Sequence, residues 1–157
     1  MKLLFLCTHN ACRSILCEVI ARQLGGARTE TASAGSQPAG TIHPDTLAAL
    51  ATHGYSTSEL SSKGIEAVRG FRPDWVITVC DRAASESCPL WLDSTPRVHW
   101  GLPDPSHLDG SVALREAAFA GVIDTIEQRL RALLSLPFET MPVSELRRSL
   151  ENLADLG

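Results

Sequence analysis

Cys7 and Arg13 are separated by five residues and Ser14 follows, so Cys7-Thr8-His9-Asn10-Ala11-Cys12-Arg13-Ser14 places a thiol, a guanidinium and a hydroxyl on one short segment. Lys2 to Leu6, just before it, is a nearly all-apolar run, as a strand covered on both faces requires. A helical pattern begins just after it, near Ser14. A loop of this length between a strand and a helix can curl until successive backbone N–H groups point at one centre, a nest for a tetrahedral oxyanion. The helix N-terminus adds the positive end of its dipole, and Arg13 can grip two oxygens at once. The same field favours the thiolate of Cys7 and makes it a nucleophile, with Ser14 able to donate a hydrogen bond to it. Asn10 tolerates the left-handed backbone of a tight curl. Thr8, His9, Ala11 and Cys12 complete the anion-binding backbone. A Cys and an Arg share this spacing by chance often enough. The strand before, the helix after and the closing Ser favour the anion site. The Gly-X4-Gly-Lys pattern of an ATP-type loop is absent.

Two further places carry chemistry. Cys80 ends a second buried run, Asp74 to Val79, and Cys88 follows after the polar, small-residue, Pro-free stretch Asp81 to Ser87. Asp104-Pro105 lies in the loop after a short strand, Arg97 to Trp100, where Asp104 reads as a general acid rather than only a turn former, with Asp109 and Asp81 as weaker rivals. Cys17 falls beside the apolar stripe of the first helix and reads as packing, and Cys12 as inert. His9 reads as a solvated loop histidine, and Trp75, Trp91 and Trp100 as core or cleft wall.

Those residues need a frame. Ile15, Leu16, Val19, Ile20 and Leu24 line one face of a helix that Gly25-Gly26 ends. Thr29 to Ala34 is a weak strand, Pro44 opens a helix stopped by Gly54, and a short helix covers Gly64 to Val68. The longest helix runs from about Val112 to Leu134 with Phe119, Val122, Ile123, Ile126, Leu130 and Leu133 on one stripe. Strands alternating with helices predict an α/β three-layer sandwich: a central, mostly parallel four-stranded sheet flanked by helices. Ligands in such sheets sit at the carboxyl ends of the strands, where Cys7, Cys80 and the Gly101 loop all fall. One domain is expected over 1–134. A tail, 135–157, is expected to hold a helix with Leu146, Leu150 and Leu153, docked on the domain or on a partner.

Composition narrows the classes. At 157 residues, 44% hydrophobic and 20% charged, the chain is globular and long enough to bury a core without disulfides or metal. A net charge of −4 with no long basic run argues against nucleic acid and anionic membranes as partners. The apolar N-terminal run stops at Thr8, too short for a signal peptide, and nothing approaches a bilayer span, so a cytoplasmic protein is expected. In a reducing compartment the five cysteines (7, 12, 17, 80 and 88) read as catalytic, metal-binding or inert rather than as structural disulfides.

Leu6-Cys7-Thr8 through Arg13-Ser14, Ser33-Ala34-Gly35, Val76 to Cys80, and His99-Trp100-Gly101 with Asp104-Pro105 together resemble the low-molecular-weight protein tyrosine phosphatase fold. Within it, the cysteine ending the second buried strand, with another a few residues on, is similar to the arsenate reductases that use thioredoxin. The resemblance covers about residues 1–134 and implies roles by position. Cys7 attacks arsenate held by Arg13 and the loop amides, and Asp104 is the general acid. Cys80 attacks the Cys7–arsenic adduct and releases arsenite, and Cys88 then closes a disulfide with Cys80 that thioredoxin, or a glutaredoxin-type donor, reduces. Asn10 and Ser33 match positions that shape the anion loop. The electron count agrees, since arsenate to arsenite takes the two electrons that two thiols yield on forming one disulfide.

Two departures stand out. The Cys80–Cys88 interval is one residue longer than the best-known family pattern. Asn10, Glu18 and Ser33 fit an alkali-cation site of some such reductases, but Ser62-Lys63-Gly64 lacks the acidic residue, so no metal is expected, nor any cofactor. The alternatives are a low-molecular-weight phosphatase, weakened by Ser106 where an aromatic residue normally follows the Asp-Pro pair, and a non-catalytic metal or metalloid module, weakened by the four-residue gaps among Cys7, Cys12 and Cys17. The expected enzyme is a monomer.

Overall fold

Lys2–Cys7 forms the first strand (β1) of a computed structural model that describes residues 1–157. Arg13–Gly25 is helix α1, Glu30–Gly35 strand β2, Pro44–Thr52 helix α2, Trp75–Thr78 strand β3 and Asp81–Ser85 a short helix, α3. Arg97–His99 is strand β4, Val112–Leu134 helix α4 and Val143–Leu153 helix α5. The sheet order is β2-β1-β3-β4 and every pairing is parallel, so the mostly parallel sheet expected from sequence is wholly so. The register sets Cys7 beside Gly35 on one side and Leu6 beside Thr78 on the other. β1 is thus central, with β2 on one flank and β3 on the other, and its carboxyl end is the switch point of the topology.

Alternation along β1 divides the interior. Leu3, Phe5 and Cys7 join a core with α1, α4 and α5, while Leu4 and Leu6 face a small cluster holding Ala32, Val68, Val76 and Leu92. The two faces are unequal. The first has long helices over it, and the second is covered by one-sided pieces: a 3-10 turn at Ile65–Phe71, where a short helix over 64–68 is expected, and another at Leu90–Leu92. The tail helix docks on the domain, with Leu146 and Leu150 buried in the larger core.

α4 has the bounds read from its stripe, with Ser111 Oγ accepting from Leu114 N at 3.1 Å as its cap. α3 is not foreseen by periodicity, because five residues are too few to carry one. No helix is long and apolar enough to cross a membrane.

Candidate active site

The carboxyl ends of β1, β3 and β4 share one edge, and the loop after β1 is wound tightly there. Asn10 takes a left-handed φ of 47°. A side chain at Gly35 would set its Cβ 2.5 Å from Thr8 O, so the loop can press on the end of β2 only because that residue is glycine. The carbonyls of Cys7, Thr8, His9 and Ala11 accept from the backbone N–H groups of Ser36, Gln37, Ala39 and His43. In planar trans peptides this turns the opposite edge, the N–H, toward the loop's interior. No side chain caps the start of α1, whose first N–H groups are free for an anion.

Cys7 Sγ is buried, accepts from Asn10 N at 3.2 Å and lies 2.8 Å from Ser14 Oγ. The direction of that second bond follows from its neighbours. Asn10 Oδ1 accepts from Lys63 N at 2.9 Å, so the amide's two N–H bonds go to Ser14 Oγ at 2.8 Å and Ser33 Oγ at 2.9 Å. Ser33 Oγ donates to Glu18 Oε2, which can only accept. Ser14, already accepting from Asn10, is left to donate its hydroxyl proton to Cys7 Sγ. The backbone N–H of Lys63, by orienting the Asn10 amide, thereby aims a donor at the sulfur.

Glu18 is not left as a bare buried charge. Lys63 Nζ lies 3.7 Å from Oε2 and Arg22 NH1 3.8 Å from Oε1. With Asn10 Oδ1 taken by a backbone N–H and Glu18 by a hydroxyl and an ammonium, these side chains do not fit an alkali cation; Lys63 supplies the positive charge. Sequence reading missed this use of Lys63, which only the close approach of the segment after Ser62 to β2 creates.

Arg13 NH1 donates to Leu102 O and NH2 to Asp104 Oδ2, both at 3.1 Å. Burial raises the Asp104 carboxyl, but bonds from Ser106 Oγ (2.6 Å) and Ser106 N (3.0 Å), then the charges of Arg13 and His107, outweigh it and hold the group below the usual carboxylate range. Cys7, His9, Cys12, Arg13, Asp104 and His107 help line a cavity of about 200 Å3, with His9 exposed at its mouth. Asp81 is almost fully exposed beside His99, and Asp109 is exposed.

Cys80 and Cys88 come to the same edge. Cys80 is buried, its Sγ 3.5 Å from Thr8 Oγ1, and it caps α3 by accepting from Ala83 N at 3.4 Å. Cys88 is half-buried and lines a small cleft together with Cys7, Leu6, Ser36, Ala83 and Ser87. Burial pushes its thiol up, against the opposing pull of Arg97. α3 stands between the two cysteines. Cys12 is buried in the loop and burial pushes its thiol to about 12, while fully buried Cys17 is pushed up further in the core. No group of three or more His, Cys, Asp or Glu side chains converges as metal ligands do.

A parallel sheet with a thiol-bearing loop wound tightly at its switch point defines the class of α/β protein. Residues 2–150 match the low molecular weight phosphotyrosine protein phosphatase family, and the chain belongs to it. The arsenate reductase of Halalkalibacterium halodurans is 34% identical over 127 residues, covering 81% of this chain and 90% of its own length. The arsenate reductase of Bacillus subtilis strain 168 is 35% identical with the same coverage. Among solved structures, the thioredoxin-dependent arsenate reductase of Corynebacterium glutamicum superposes with a TM-score of 0.63 at 28% identity, over 84% of this chain and 59% of that one.

Proposed function

We propose that the protein reduces arsenate to arsenite through Cys7, Cys80 and Cys88. The observation that carries the reading is the convergence of three thiols on one anion loop: Cys80 Sγ beside Thr8 and Cys88 in a cleft with Cys7. Ester hydrolysis moves no electrons and has no use for the second and third thiols. The arsenate reductases among its relatives support the same substrate.

In this scheme the loop N–H groups and Arg13 bind arsenate, and the Cys7 thiolate forms a sulfur–arsenic bond while one arsenic–oxygen bond breaks. Asp104 delivers the proton with which that oxygen leaves as water. Oxyanion binding turns Arg13 away from Asp104 and brings negative charge beside it; both changes favour the protonated carboxyl that a donor requires. The Cys80 thiolate then attacks Cys7 Sγ, the sulfur–arsenic bond breaks, and its electron pair stays on arsenic, which leaves as arsenite. Cys88 attacks Cys80, frees Cys7 and leaves the Cys80–Cys88 disulfide. That last exchange requires α3 to open, and only Ala83 within 81–88 is buried to resist it. Thioredoxin is the proposed reductant, a glutaredoxin-type donor the alternative, and the working enzyme a cytoplasmic monomer.

The test is a coupled assay of arsenate, NADPH, thioredoxin and its reductase beside an aryl phosphate assay. One NADPH oxidised per arsenite formed is expected. Aryl phosphate hydrolysis without arsenate-dependent NADPH oxidation overturns the proposal in favour of a phosphatase.

A further inference from the structure

Arg129 lies on α4 among residues that face the core, and it is 5% exposed. Its guanidinium has no carboxylate within hydrogen-bonding distance and is satisfied by three backbone carbonyls. Nε donates to Leu156 O at 2.9 Å, NH2 to Ala154 O at 2.8 Å and NH1 to Gly101 O at 3.3 Å. Two of these lie just beyond the C-terminus of α5, where unpaired carbonyls collect and a cation is favoured. The third is the root of the segment that carries Asp104. A second tether runs beside it, from Trp100 Nε1 to Leu150 O at 2.8 Å. The indole is 1% exposed, and Leu150 O is available because Ala154 N turns to Glu151 O.

We infer that Arg129 is a positioning residue for the Asp104 segment, fastening Gly101, three residues upstream, to the end of the tail helix. Only a planar fork reaches three carbonyls in different directions, and burying an unpaired guanidinium is costly unless its N–H groups are all well placed. From Gly101 the chain passes at once to Leu102, whose carbonyl orients Arg13, and then to Asp104, which pairs with it. The tail therefore reaches the active site without touching it. This inference rests on the reading of Asp104 as proton donor.

A merely structural Arg129 would staple the tail and nothing more, and Arg28 provides the control. Its guanidinium holds the start of the tail through Glu139, Leu134 O and Leu136 O and has no bond to the Asp104 segment. Arg129→Met and Arg28→Met are compared by amide hydrogen exchange and by arsenate kinetics. Arg129→Met is expected to speed exchange in 101–108 by about tenfold. It lowers kcat by about tenfold with KM within about twofold, and leaves Cys7 alkylation by iodoacetamide unchanged. Arg28→Met shifts melting but neither 101–108 exchange nor kcat, and Arg129→Lys recovers only part of the loss. Equal behaviour of the two Met variants, or wild-type exchange across 101–108 in Arg129→Met, overturns the inference. Should Arg129→Met fail to fold, Arg129→Lys keeps the charge but cannot reach all three carbonyls and is expected to raise exchange in the same segment; no change there overturns it equally. A wild-type protein inactive toward arsenate defeats the substrate reading alone, and the exchange data still decide the role of Arg129.

Discussion

The anion loop and the Cys80–Cys88 segment share an edge but are built in opposite ways. The loop backs onto the face covered by α1 and α4, its carbonyls are taken by the next loop, and a chain of buried bonds from Glu18 through Ser33, Asn10 and Ser14 fixes the sulfur. The segment from Cys80 to Cys88 runs from the larger core, which Cys80 and Ala83 join, to the thin side, against which Cys88 packs, with a five-residue helix and one buried residue between its ends. Preorganisation suits the first region because its task is to bind charge without reorganising. In the proposed relay the second must join two sulfurs that flank a short helix in the chain, and a rigid segment would resist it.

That contrast can be broken from either side. The largest effect is expected in the Cys80–Cys88 half. Cys80→Ser should lower steady-state arsenate turnover by at least about 1,000-fold, while arsenic accumulates on Cys7 in quenched samples read by mass spectrometry. Arsenite release at the wild-type rate would remove Cys80 from the relay. In the rigid half, Ser14→Ala removes the hydroxyl that donates to Cys7 Sγ at the end of that chain. Alkylation of Cys7 at neutral pH should slow by about tenfold; an unchanged rate would mean that the buried chain does not act on the sulfur. The smallest effect concerns Asp104, whose carboxyl is held below its usual range in the folded protein. A depressed carboxylate contributes stability above its unfolded pKa and loses it as pH falls through the folded one. Asp104→Asn should therefore reduce stability near neutrality and flatten the loss below about pH 4 in urea melts. An unaltered slope would show that the Ser106 bonds and the Arg13 contact do not hold this carboxyl down.

Legibility followed the physics of each region. α4 was readable because its stripe of Phe119, Val122, Ile123, Ile126, Leu130 and Leu133 repeats through about four turns and Ser111 caps it. α3 was not, since its helix rests on a cap from Cys80 Sγ rather than on any pattern. Arg129 had a faint signal, a charge on the apolar side of α4, but its partners are backbone carbonyls and carry no side-chain signature.

Local order alone was enough to read the strand, the curl and the helix N-terminus around Cys7, because they are contiguous, whereas the inward turn of the loop N–H groups also needs Ser36, Gln37, Ala39 and His43 on its carbonyls. The spacing of Cys7, Arg13 and Ser14 and the type of sheet belong to that class. The tertiary structure decided which way Ser14 donates, what balances Glu18, and how the tail reaches Gly101. Each of these depends on groups 15 to 53 residues apart, such as Ser33 with Glu18 and Lys63 with Asn10, whose meeting is set by how the sheet and helices pack and not by any repeat along the chain.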